Sequence, residues 1–63
     1  MPLKPIEMER EIFADGWYLY ARKGSHRQYK HPTKPGKVTI PFHQGKDISL
    51  MTEKSIRKQA GMI

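Results

Sequence analysis

The chain predicts an α+β fold: a three-stranded antiparallel sheet with two helices on one face, in the order α-β-β-β-α. Three observations carry this reading. Apolar residues recur at helical spacing near each end of the chain, the middle is rich in strand formers, and Gly/Pro/Ser clusters cut that middle into three runs. Sixty-three residues form a single domain, 1–63, near the lower size limit for folding without staples.

Pro5 fits the first turn of a helix, and Glu7 and Glu9 suit its positive end. Met8 and Ile12 give an apolar stripe, with Phe13 a further candidate, and Asp15-Gly16 stops the helix, which runs from about Pro5 to Ala14 or Asp15. Trp17 to Arg22 reads as the first strand, and a turn around Lys23-Gly24-Ser25 leads to a second from His26 to His31. Pro32 and Lys34-Pro35-Gly36 make the next turn, and Lys37 to Ile40 is a third strand that Pro41 ends. A polar loop from Phe42 to about Leu50 leads to the last helix. Thr52 is its expected N-cap, Ile56 and Ala60 its buried stripe, and Gly61 its stop. Trp17, Ile12, Val38, Ile40 and Ile56 are the expected core.

Register decides what lies beside His26. A three-residue first turn pairs Arg22 with His26, Tyr20 with Gln28 and Tyr18 with Lys30, leaving Trp17, Leu19, Ala21 and Tyr29 as the apolar face. A two-residue turn would put Gln28 and Lys30 beneath Trp17 and Leu19, so the apolar pattern favours three residues. His26, Arg22 and Lys30 then share the open face.

The formal net charge is +6, and its distribution says more than its size. Between Gly16 and Lys46 there is no acid, while Arg22, Lys23, Arg27, Lys30, Lys34, Lys37 and Lys46 are basic and His26, His31 and His43 fall in the same span. Such segregation points to a polyanion-binding face. The absence of cysteine removes disulfide and thiolate-metal chemistry, and histidines among cations without a nearby carboxylate suit neither zinc nor magnesium. No metal or other cofactor is expected. No apolar run has membrane-spanning length and nothing resembles a signal peptide, so the expected location is the cytoplasm.

Gly16-Trp17, then Arg22 and Gly24-Ser25-His26, then Pro41-Phe42-His43-Gln44-Gly45-Lys46, then Ser55-Ile56-Arg57-Lys58-Gln59-Ala60-Gly61 resemble the HicA toxins of bacterial and archaeal type II toxin–antitoxin systems. The resemblance covers nearly the whole chain. It implies a double-stranded-RNA-binding-domain-like fold, mRNA interferase activity, and a requirement for the Gly-Ser-His histidine, here His26. It also implies neutralisation by a HicB-like antitoxin that covers the active site.

RNA carries its own nucleophile, the 2′-hydroxyl. A ribonuclease without metal therefore needs a base for that hydroxyl, a proton for the leaving 5′-oxygen, and cations for the phosphoryl charge. His26 suits either proton transfer; on residues alone it reads equally well as a turn cap, and the resemblance favours catalysis. His31, five residues on, points to the opposite face of a regular strand. His43 lies on a loop that can approach His26, or serves as a structural hydrogen-bonder. Arg22, Lys23, Arg27 and Lys30 are the expected phosphate contacts, with Ser25, His43 and Lys46 completing the expected RNA-binding set. Tyr18 and Tyr20 read as cross-strand packing more than as base-stacking platforms. Two rival classes remain: a non-catalytic RNA-binding module, which has no use for a proton carrier, and an interaction protein whose basic face docks an acidic partner.

Overall fold

Local chemistry sets each element boundary. In a computed structural model, which describes residues 3–63, the order is α1 (Pro5–Ala14), β1 (Tyr18–Lys23), β2 (His26–Lys30), β3 (Val38–Pro41) and α2 (Leu50–Gln59). The first two residues of the expected 1–63 domain lie outside that description. Pro5 opens α1, where its missing N–H is no loss, and the Glu7 carboxylate accepts the Lys4 N–H at 2.9 Å. Gly16 ends the turn after α1 at φ +101°, and a Cβ there would lie 2.7 Å from His31 Nε2. Only glycine meets both demands.

The sheet has the order β1-β2-β3, antiparallel throughout. Its helix-covered face carries Tyr29, Val38 and Ile40, packed with Met8 and Ile12 of α1, Trp17, Ile48, and Ile56 and Ala60 from the α2 side. Trp17, Ile12, Val38, Ile40 and Ile56 are buried as expected, while Leu19 is only partly so. Ile48 is an addition: a lone apolar residue in a polar loop, held by its N–H to the Leu3 carbonyl at 2.7 Å. Arg57 joins the helices, donating to Glu11 through Nε and Nη2 at 2.7 and 3.0 Å and to Glu53 through Nη1 at 3.0 Å.

The N-cap of α2 is Ser49, not Thr52; the Ser49 hydroxyl accepts the Thr52 N–H at 3.2 Å. Both residues have capping chemistry, and the helix takes the earlier one because Ile48 anchors the chain immediately before it. The hairpin register also needs correction. The first turn has two residues, Gly24 and Ser25, so that Lys23 pairs with His26, Arg22 with Arg27 and Ala21 with Gln28. A β-bulge at Tyr20 then absorbs one residue, restoring Leu19 opposite Tyr29 and Tyr18 opposite Lys30. Ala21 therefore lies across from Gln28 on the open face rather than in the core.

Candidate active site

His26 is the first residue of β2, directly after the Gly24-Ser25 turn. Gly24 holds φ +57° with open space where a Cβ would stand, so glycine is there for backbone conformation alone. Directly opposed residues in an antiparallel pair share a face. Lys23 on β1 and Pro41 on β3 flank His26, and Gln28 and Lys30 continue along the same face of β2. Tyr20 joins them: its hydroxyl donates to the Gln28 side-chain oxygen at 3.0 Å, and Lys30 Nζ lies 4.7 Å from its ring centroid. Tyr20 is thus held in cross-strand contacts, while Tyr18 stands exposed across from Lys30.

The two-residue turn reverses the expected arrangement of Arg22 and Lys23. Lys23 shares the face of His26, and Arg22, paired with Arg27, belongs to the helix side at the exposed end of the hairpin. Arg27 is already engaged. Its Nη1 donates to Glu9 Oε2 at 3.1 Å and its guanidinium lies 4.0 Å over the Phe42 ring. Glu9 is buried and also accepts the Tyr29 hydroxyl. Burial, then the Glu9 carboxylate, raise the Tyr29 phenol above its ordinary range. Glu9 read in sequence as a helix-end charge; the available signal for burial was its spacing of three and four from Ile12 and Phe13, which puts it on the apolar side of α1.

The three histidines differ in their surroundings. His31 Nδ1 accepts the backbone N–H groups of Thr33 and Lys34, each at 3.1 Å, which leaves Nε2 as the donor to the Asp15 carbonyl at 2.7 Å. Its ring meets Trp17 edge to face at 5.2 Å, so it braces the end of α1 against the turn after β2. His26 and His43 are both exposed, and neither ring has a hydrogen-bond partner among the described residues. They adjoin each other, with ring centroids 5.9 Å apart and planes at 78°.

That approach is set by backbone. Pro41 pairs with His26, and the Phe42 N–H donates to the Ser25 carbonyl at 2.6 Å, tying the exit of β3 to the hairpin turn. The His43 carbonyl accepts the Lys46 N–H at 3.1 Å, which curls the loop and leaves the Lys46 side chain exposed nearby. Beyond His43 a groove of about 400 Å³ opens between that loop and the start of α1, with Ile6 and Phe42 among its lining residues. Of the expected RNA-binding residues, Arg22, Lys23, Ser25, Lys30, His43 and Lys46 are exposed and Arg27 is half-buried, and no ion pair among the described residues involves Arg22, Lys23, Lys30 or Lys46.

Residues 7–62 match the family described as the HicA toxin of bacterial toxin–antitoxin. The chain belongs to the HicA toxin family. The α-β-β-β-α order read from sequence is the observed one, and a HicA toxin implies an antitoxin partner. No helix among the described residues is long and apolar enough to cross a membrane. No curated protein matches the chain.

Proposed function

We propose that this HicA-family protein is an endoribonuclease that cleaves mRNA in the cytoplasm without a metal ion, with His26 as its essential proton-transfer residue. The observation that carries this reading is the contrast around His26. Its ring is exposed and, among the described residues, has no hydrogen-bond partner, and it lies on a sheet face where Lys23 and Lys30 are in no ion pair among those residues. A phosphodiester laid along that face meets a proton carrier and uncompensated positive charge together, as transfer through a charged phosphoryl group requires. The substrate supplies the 2′-hydroxyl, so the products are a 2′,3′-cyclic phosphate and a free 5′-hydroxyl.

Incubating the purified toxin with RNA in EDTA tests the proposal. Cleavage persists, ends in cyclic or derived phosphate, and stops when the scissile 2′-hydroxyl is replaced by hydrogen. A strict magnesium requirement or 5′-phosphate products would overturn it, and RNA binding without cleavage would leave only an RNA-binding module.

The same surface is the expected target of a HicB-like antitoxin. Positive charge that attracts RNA also steers an acidic partner, and direct coverage of His26 needs no conformational relay. Hydrogen exchange on free and bound toxin is expected to show protection across Arg22 to His31. Protection confined to α1 would exclude direct occlusion.

A further inference from the structure

We propose that His43 is the second proton carrier of the site, dividing with His26 the two transfers that RNA cleavage requires. This deepens the ribonuclease reading and rests on it. In that reaction the O2′–H bond breaks as O2′–P forms, and P–O5′ breaks as O5′–H forms. One proton leaves for a neutral imidazole and one arrives from an imidazolium. The pair ends in the reversed protonation state and is reset by hydrolysis of the cyclic phosphate or by exchange with water. In-line displacement places the entering and leaving oxygens on opposite sides of phosphorus, beyond the simultaneous reach of one ring.

His43 fits this role by position and by chemistry. Its ring centroid lies 5.9 Å from that of His26, so one phosphoryl group laid across both rings brings its substituents to both. The approach is built into the sheet, through the pairing of Pro41 with His26 and the bond from the Phe42 N–H to the Ser25 carbonyl. Other candidates near His26 are engaged or of the wrong kind. The Tyr20 hydroxyl is donated to Gln28, Lys23 offers an ammonium suited to phosphate contact rather than an imidazole, and both nitrogens of His31 are bonded away from this face. Imidazole is the side chain whose two forms coexist near neutrality, and this site holds two of them without a hydrogen-bond partner among the described residues.

The test uses the full chain, the variants His43→Gln and His26→Ala, and two RNA oligonucleotides cut by the parent. One is all-oxygen, and the other carries sulfur in place of the bridging 5′-oxygen, a leaving group that needs no proton. With the oxygen substrate, His43→Gln is expected to lose about 10²-fold or more in kcat/KM and one limb of a bell-shaped pH profile. Its thermal midpoint stays at the parent value. With the sulfur substrate, whichever variant lacks the general acid recovers to within about tenfold of the parent, and the other does not. A His43→Gln variant that keeps the parental rate and bell while His26→Ala is inactive would overturn the inference and leave the ribonuclease reading intact. Loss in His43→Gln with the sulfur substrate rescuing neither variant would also overturn it, since the histidine would then act by position alone. Full activity in His26→Ala would sink the ribonuclease assignment itself.

Discussion

The two faces of the sheet use the same residue types in opposite ways. On the helix side three cations are matched to acids, Arg27 with Glu9, Lys34 with Asp15, and Arg57 with Glu11 and Glu53, while Arg22 at the hairpin end is exposed with no ion pair among the described residues. His31, just past the end of β2, has both ring nitrogens bonded to backbone. On the open face, among the described residues, Lys23 and Lys30 have no acid partner, and the ring of His26, five residues before His31 on the same run of chain, has no hydrogen bond. Charge neutralised inside the fold contributes to stability and offers little to a ligand. Charge left unmatched does the reverse, so each face can be broken without breaking the other.

The sharpest separation is between the two histidines of that run. His26→Ala is expected to lower RNA cleavage by about 10²–10⁴-fold, the usual weight of a positioned proton carrier, with no change in thermal midpoint. His31→Ala is expected to do the opposite. It removes the acceptor of two backbone N–H groups and the brace against Trp17, lowering the midpoint while cleavage per folded molecule stays near the parent value. If both variants lost activity in proportion to lost folding, the division between the faces would fail.

The arginine and lysine neighbours in β2 extend the contrast. Stripping one partner from a fully buried ion pair costs about 3–5 kcal/mol. The Arg27 side chain is 28% exposed and Tyr29 still donates to Glu9, so Arg27→Met is expected to cost about 1–3 kcal/mol in chemical denaturation. Lys30→Ala is expected to leave stability within about 0.5 kcal/mol of the parent. Instead it weakens RNA binding and reduces the slope of log K against log salt by about 0.7–0.9, one phosphate's worth of counterions. Lys23→Ala should match Lys30→Ala, while Arg22→Ala should flatten the slope less, because the observed register puts Lys23 and not Arg22 beside His26. Equal slopes for Lys23→Ala and Arg22→Ala would remove the functional meaning of that register.

Register was the part of the fold that sequence reasoning could not reach. The helices announced themselves through Pro5, Gly16 and Gly61 and through the spacings of Met8 with Ile12 and Ile56 with Ala60. In the hairpin, the apolar pattern fixes only that Leu19 faces Tyr29 and that Tyr18 faces Lys30. A three-residue turn without a bulge and a two-residue turn with a bulge at Tyr20 satisfy that requirement equally. They differ only from Ala21 to the turn, where that small side chain gives a weak signal and the remaining side chains are polar on both faces. His26 was legible because its motif is local. The nearness of His43 was not, since it depends on Pro41 pairing with His26 and on Phe42 reaching Ser25, contacts between segments that no periodicity links.

The smallest expected effects lie in the pH dependence of stability, which belongs to the helix side. The bond from Arg57 holds the Glu11 carboxyl below its ordinary 4.5, and the bond from Lys34 holds Asp15 below its ordinary 3.8. Lowered folded values mean that this stabilisation is fully present above those ordinary values and is lost as pH falls through the folded ones. Tyr29 runs the other way. Burial raises its phenol above the ordinary 10.0, so its contribution is present below that pH and is lost as pH rises through the folded value. Glu11→Gln leaves Arg57 with Glu53 and is expected to cost about 0.2–1 kcal/mol at neutral pH, the range for a half-exposed pair, while making the acid limb of the stability profile shallower. Thermal midpoints of the parent and Glu11→Gln between pH 2 and 7 check this, and parallel acid limbs would mean that the Glu11–Arg57 pair does not set them. RNA cleavage by Glu11→Gln should keep the parental pH profile throughout the range where the protein is folded, because Glu11 and Arg57 lie on the helix side and the proposed proton carriers on the other. A shifted cleavage profile in this variant would show that the two faces are electrostatically coupled through the thickness of the sheet.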